Sequence, residues 1–241
     1  SASGARLYPT FLAVRATYRA PLSTIGEDDQ LSSHAALSWS ARGYNHGFVT
    51  LTTARNRMRF EMLTMLAARS ATGELRAAQP SARLAPAIET GNDGAPGLVG
   101  LAKAARNGIR HDDVFSGDAP ARPLESLGSV RYEPSPYSDF NGAGLLYFAS
   151  FVSIADTADR LLMRAIERAP RAEWALATST LRRDVFYYGN IQVGEAVSTH
   201  LLAIEWGASD TVKTHLRIVR ESDGRALADL VTLKRVDRGA R

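Results

Sequence analysis

The chain is 241 residues long, 45% hydrophobic and 22% charged, an ordinary globular composition with length enough to bury a sizeable core. Its net charge is +4, from 29 Lys+Arg against 25 Asp+Glu; no basic tract is interleaved with aromatics, so nucleic-acid binding is not expected. Cysteine is absent, which excludes disulfides, a thiol nucleophile and zinc–thiolate sites, and no apolar run reaches the roughly 18–20 residues that cross a bilayer.

Residues 6–19 are rich in aromatic and β-branched side chains and predict a strand, with Pro9 marking an edge or bulge. A turn at Gly26–Asp29 follows. In 31–39, Leu31, Ala35, Leu37 and Trp39 share one face at period two. The turn Arg42–Asn45 leads into a strand over 46–54. From Arg57 the alternation is clearest, with Met58, Phe60, Met62, Thr64 and Leu66 on one face and Arg57, Arg59 and Glu61 on the other. Residues 70–125 change character, with many Ala, Pro and Gly, and predict a linker holding a short helix at Leu98–Arg106.

A short strand near 127–133 precedes the polar turn Tyr137-Ser138-Asp139-Phe140-Asn141. The periodicity of Leu145, Phe148, Val152, Ala155, Leu162 and Ile166 predicts a helix from about Ala143 to Arg168, ended by Pro170. Strands are expected near 178–189, 197–206, 211–220 and 225–236, the last after the turn Ser222-Asp223-Gly224.

An internal repeat organises these elements. A shift of about 166 residues sets His34 on His200, Leu37 on Ala203, Trp39 on Glu205 and Arg69 on Arg235. Identities are few, but turns and strands recur in the same order and length. Only the second copy has a long helix before its strands, although a sheet with an apolar face needs such a cover. The first copy is therefore expected to lack an N-terminal turn and helix, which a removed segment or a partner chain would supply.

The turn before the long helix holds the densest potential chemistry. Backbone N–H groups at a helix N-terminus sit at its positive end, and those of Gly142, Ala143 and Gly144 are expected to bind a thioester oxygen. Asp139 is a candidate acid/base and Asn141 a candidate side-chain donor, although Asp before a helix also serves simply as a cap. Tyr147 is a candidate catalytic tyrosine or a core aromatic. Other patterns carry little: Gly91, Gly94, Gly97 and Gly100 have the wrong spacing for a phosphate loop, and His111-Asp112-Asp113 has no second cluster to complete a metal site. No metal is expected.

Taken together, Leu7-Tyr8-Pro9-Thr10-Phe11, Phe60-Glu61-Met62-Leu63-Thr64-Met65, Asp139 through Phe148 and Arg183-Asp184-Val185-Phe186-Tyr187-Tyr188-Gly189-Asn190 resemble the double hot-dog acyltransferase/decarboxylases of polyketide biosynthesis, of the leinamycin type. The resemblance implies an α+β double hot-dog: two antiparallel sheets wrapped on long helices. Residues 1–80 would form a first module incomplete at its N-terminus, 81–125 a linker, and 126–241 a second module. It further implies transfer and decarboxylation of a malonyl or methylmalonyl group from coenzyme A onto an acyl carrier protein. Acyl-CoA and carrier protein would be the partners, with a homodimer possible. No cofactor is expected beyond the coenzyme A or phosphopantetheine thioester, and neither nucleic acid nor membrane is a partner; a cytoplasmic location fits.

In such proteins a tyrosine carries or contacts the acyl group, and Tyr8 is the matching position here. Asp184 and Asn190 flank the aromatic strand and are expected to shape the substrate site. Arg182, Arg183, Arg164 and Arg168 are candidates for phosphate contacts, with a solvated surface role as the alternative. A hot-dog thioesterase or dehydratase acting on carrier-bound chains stays open, as does a module that binds a carrier protein without chemistry.

Overall fold

The structure is a computed structural model, and it describes residues 7–39, 44–69, 75–78, 96–107, 126–166, 174, 177–207 and 210–236. Its strands are β1 (Leu7–Tyr18), β2 (Ser32–Trp39), β3 (Tyr44–Thr52), β4 (Arg57–Arg69), β5 (Leu75–Ala77), β6 (Gly128–Tyr132), β7 (Thr178–Tyr187), β8 (Val197–Trp206), β9 (Thr211–Arg220) and β10 (Ala226–Val236). Two helices accompany them, α1 (Pro96–Arg106) and α2 (Phe148–Met163). The metal candidate His111-Asp112-Asp113 lies outside the described residues.

The strands form one continuous sheet in the order β2-β3-β4-β1-β7-β10-β9-β8-β6, with β5 paired to β4. Two separate sheets were expected. They are joined because β1 and β7 pair antiparallel, Ala13 through Thr17 opposite Arg182 through Phe186, so each edge satisfies the other's backbone groups. The repeat is visible in this order: from the central seam outward, β1-β4-β3-β2 answers β7-β10-β9-β8. The shift of about 166 residues carries β2, β3 and β4 onto β8, β9 and β10 to within a few positions.

Adjacent residues of a strand point to opposite faces, and β7 uses both. Val185 and Tyr187 join the core under α2, with Phe151, Ile154 and Ala155 of the helix and Leu201, Leu216, Ile218 and Leu230 of the sheet. Phe186 points the other way, into a cluster with Leu98 and Ala105 of α1 and Ala13, Leu63 and Val231. The two helices thus cover opposite faces near the seam. Among the described residues α2 packs on β6, β8, β9 and β10, and α1 on β1 and β7. On the outer strands of the first half, Leu37 is 65% exposed.

The long helix starts later than its periodicity suggests. Gly144 takes a φ of +67°, a conformation glycine adopts without strain, and the chain from 139 to 147 doubles back as a tight loop. Asn141 N–H donates to Leu145 O (2.9 Å), and Tyr147 N–H to Asp139 O (2.7 Å). Only after this closure does α2 begin, at Phe148. It ends at Met163, with Arg164 as C-cap, short of the Arg168 expected; Arg168 and Pro170 lie outside the described residues.

Two buried charged sets tie elements together. Asp159 of α2 accepts hydrogen bonds from Lys234 Nζ (2.5 Å) of β10 and from Trp174 Nε1 (2.7 Å), and all three residues are buried. On the α1 face, Asp229 of β10 accepts from Arg217 through both oxygens (2.8 Å each) and from the Tyr188 hydroxyl (2.9 Å). Burial raises the Asp229 carboxyl, but the hydrogen-bonded Arg217 guanidinium and the neighbouring His215 outweigh it and leave a pKa of about 2. Burial and the same carboxylate push the Tyr188 phenol far above its usual range.

Candidate active site

The halves part where the seam pairing stops. Leu7 through Phe11 of β1 continue alongside β4, opposite Thr64 through Ala68. They have left β7, whose pairing with β1 begins at Ala13 opposite Phe186. A bulge between Phe11 and Ala13 marks the departure. Beyond Tyr187 the chain turns at Gly189, where a Cβ would meet Leu227 Cδ2 at 3.2 Å, so glycine permits this close passage. The wedge between the diverging strands is a cleft of about 720 Å³.

One wall of the cleft is aromatic. The Phe11 and Phe148 rings lie 4.2 Å apart, Phe151 meets Tyr187 edge-on at 5.4 Å, and Tyr147 meets Phe148 at 4.6 Å. Leu145, Leu146 and Ile191 extend this apolar lining. The rim is polar, with Arg106, Arg220, Arg225, Gln192 and Glu195. Among the described lining residues there is no histidine and no aspartate.

Where wall and rim meet, α2 begins. Its N-cap, Tyr147, makes no side-chain capping hydrogen bond, while its carbonyl oxygen accepts from Ser150 N–H (2.9 Å), so the positive end of the helix lacks a side-chain cap. Tyr147 is 43% exposed, and no described residue bonds its hydroxyl. Asn141 also lines the cleft: its Oδ1 accepts from Ala143 N–H (2.9 Å) and Leu145 N–H (3.2 Å). Its Nδ2 has no partner among the described residues. Asn190 fastens the loop to the sheet, accepting from Leu146 N–H (2.8 Å) and Ile191 N–H (2.8 Å) and donating to Leu146 O (3.1 Å).

Of the residues singled out from sequence, Asn141, Tyr147 and Asn190 come together on the cleft. The others stand elsewhere. Asp139 is buried behind the loop, where one carboxylate oxygen accepts from Ser135 N–H (2.7 Å) and the Tyr132 hydroxyl (3.0 Å). Gly142, Ala143 and Gly144 form the loop tip outside the cleft lining. The N–H groups of Ala143 and Gly144 donate back to Asn141 rather than opening a helix. Tyr8 lies on β1 opposite Ala67, beside the cleft-lining Pro9 but not among the lining residues. Asp184 is buried on the α1 face, held by Arg15 (2.8 and 3.1 Å) and Arg182 (2.9 Å).

Arg182 and Arg183 are likewise engaged internally, Arg183 with Asp156 and Thr232. The cationic rim comes instead from Arg106, Arg220 and Arg225. The last two flank the turn Ser222-Asp223-Gly224 already visible in the sequence; nothing local marked Arg106 or Glu195. The aromatic wall was partly signalled by Phe11, Phe148 and Tyr187 within the motif stretches, although alternation alone did not bring them together.

No protein-family model and no curated protein sequence matches the chain. Solved structures do resemble it. The 12:0-ACP thioesterase of Umbellularia californica superposes with a TM-score of 0.67 at 10% identity, over 98% of this chain and 75% of that one. A protein assigned as an oleoyl thioesterase of Lactobacillus plantarum gives 0.63 at 12% identity, over 96% and 77%. An acyl-ACP thioesterase of Bacteroides thetaiotaomicron gives 0.53 at 8%, over 95% and 76%. The likeness shows the fold, that of hot-dog thioesterases, and it spans both halves of the sheet.

Proposed function

We propose that the cleft binds the acyl end of a coenzyme A or carrier-protein thioester, and that the protein decarboxylates a malonyl-type acyl group and passes it to an acyl carrier protein. The carrying observation is the chemistry of the wall around the start of α2: donors gather there, and bases do not. Asn141 and Tyr147, with Phe148 at the start of α2, line the cleft beside its apolar wall.

Decarboxylation needs that arrangement. The bond from Cα to the carboxylate breaks, CO2 leaves, and the electron pair passes into the thioester as an enolate. Preorganised donors aimed at the enolate oxygen are worth roughly 3–4 kcal/mol each. Tyr147 then delivers its proton to Cα and regains one from water. The carrier's thiol attacks the same carbonyl carbon, and the coenzyme A sulfur departs as its thiol. Tyr8, matched by resemblance to an acyl-bearing tyrosine, stands one residue outside the cleft lining, so Tyr147 takes the catalytic part here.

A second reading is hydrolysis, in keeping with the thioesterases that share the fold. It needs a group to activate water, and Glu195 is the one carboxylate among the described lining residues. Glu195 accepts from Gln192 N–H at 2.6 Å and lies 3.6 Å from Arg220, which commits it to the rim.

The test is intact-mass measurement of a holo acyl carrier protein incubated with methylmalonyl-CoA and this protein. A carrier heavier by one propionyl group is the expected result. Free acid beside an unmodified carrier would establish hydrolysis instead.

A further inference from the structure

We propose that Arg106, Arg220 and Arg225 form a phosphate-binding rim that holds the phosphate of a phosphopantetheine arm while its thioester end occupies the cleft. This rests on the acyl-thioester reading of that cleft and assigns a subsite within it.

Arg106, Arg220 and Arg225 all line the same cleft, whose one lining carboxylate among the described residues is Glu195. Asp223 also lies 3.5 Å from Arg220, so three arginines stand with two carboxylates beside an apolar recess. That order suits an arm with an acyl thioester at one end and a phosphate at the other. Arginine presents a planar fork of donors that matches a phosphate with paired hydrogen bonds.

The fold delivers these side chains from two places, the β9–β10 turn and α1. Arg220 closes β9 and Arg225 precedes β10, and their backbones are bonded across the turn, Arg220 N–H to Arg225 O at 2.9 Å. Gly224, with φ of +67°, makes that turn tight. Arg225 Nε lies 3.8 Å from where a Cβ on Gly189 would stand, which places the guanidinium beside the loop carrying Asn190. Arg220 is held loosely at the rim, 3.6 Å from Glu195 and 3.5 Å from Asp223, and its buried Nε has no hydrogen-bond partner among the described residues.

Arg106 comes from the last turn of α1, over the Tyr188 ring at 5.8 Å. It belongs to the segment between the two halves, so a phosphate on the rim would engage that segment as well as the β9–β10 turn. Arg182 and Arg183, equally cationic by sequence, do not line the cleft; they pair with Asp184 and Asp156.

The experiment is isothermal titration of the whole protein with four probes: pantetheine, 4′-phosphopantetheine, coenzyme A and a holo acyl carrier protein. Phosphopantetheine is expected to bind at least tenfold more tightly than pantetheine, with the gain shrinking as salt screens the rim. Arg106→Gln, Arg220→Gln and Arg225→Gln should each weaken phosphopantetheine at least fivefold and leave pantetheine unchanged, at unaltered melting temperature. A variant that melts early is replaced by its Lys counterpart, which should retain part of the binding.

Coenzyme A binding tighter than phosphopantetheine would identify the free coenzyme as the source of the phosphate. A carrier protein binding tighter than both would identify the carrier's arm. Equal binding of pantetheine and phosphopantetheine, or variants that bind phosphopantetheine normally, would overturn the rim while leaving the acyl cleft standing. No binding by any probe would likewise overturn the rim, and the acyl cleft is decided separately by the carrier-mass measurement.

Discussion

Replacing Tyr147 by phenylalanine is expected to slow formation of the propionyl thioester from methylmalonyl-CoA by about a hundredfold or more, the usual effect of removing a positioned proton donor. The substitution removes one oxygen and little else. The ring keeps its place against Phe148, 4.6 Å away, and the hydroxyl has no described partner whose loss would disturb the fold. Tyr147 is also 43% exposed, so no buried polar group is stranded. The melting temperature should therefore stay within a degree or so, as for surface changes that touch no special feature, and KM should change little. A rate within twofold of the parent would remove Tyr147 from the chemistry and return the proton transfer to water or to Tyr8.

The largest stability effect is expected at Lys234. Its ammonium and the Trp174 indole N–H are the described partners of Asp159, whose other oxygen, Oδ1, is buried without a hydrogen bond. Lys234→Met keeps most of the volume and the apolar stem but leaves a buried carboxylate facing one neutral donor. Breaking a buried pair from one side costs about 3–5 kcal/mol, because the remaining charge is uncompensated. For a chain of this size that lowers the melting temperature by on the order of 10 °C. Adding Asp159→Leu removes the stranded charge, and the double variant should regain most of the loss. Thermal melts of the three variants decide it: a double variant no better than Lys234→Met would mean that packing of the lysine stem around Trp174, not charge, holds α2 to β10.

Much of the fold was legible because its signal is local. The alternation from Met58 to Leu66 announces β4 whatever it pairs with, and the repeat that set His34 on His200 reappears as the matching positions of β2 and β8. The short helix expected at Leu98–Arg106 stands as α1, Pro96–Arg106. What escaped depends on partners distant in sequence. The union of the two halves into one sheet rests on Ala13 through Thr17 meeting Arg182 through Phe186, and neither stretch declares itself an inner edge rather than an outer one.

The site divides along the same line. Asn141 and Tyr147 were singled out from turn chemistry and an apolar helix start, and Asn190 from the family resemblance; all three line one cleft. The start of α2 was misplaced because the apolar period runs through Leu145, while the loop bonds of Asn141 and the conformation of Gly144 hold the chain out of the helix until Phe148. The rim arginines could not be told from the others by composition. Which guanidinium lines the cleft and which is held within the sheet depends on cross-strand register, as when Arg15 falls opposite Asp184 and joins Arg182 in holding it.

The central claim is that a thioester carbonyl lies against the N-terminus of α2, with its acyl group among Phe11, Phe148 and Tyr187. A crystal structure with propionyl-CoA, which has no carboxylate to lose, tests this most directly. The account predicts the carbonyl oxygen within about 3 Å of Asn141 Nδ2 or of the first-turn N–H groups of α2, and the Tyr147 hydroxyl within reach of Cα. An acyl group lodged outside this cleft, or a carbonyl turned away from the helix start, would contradict it.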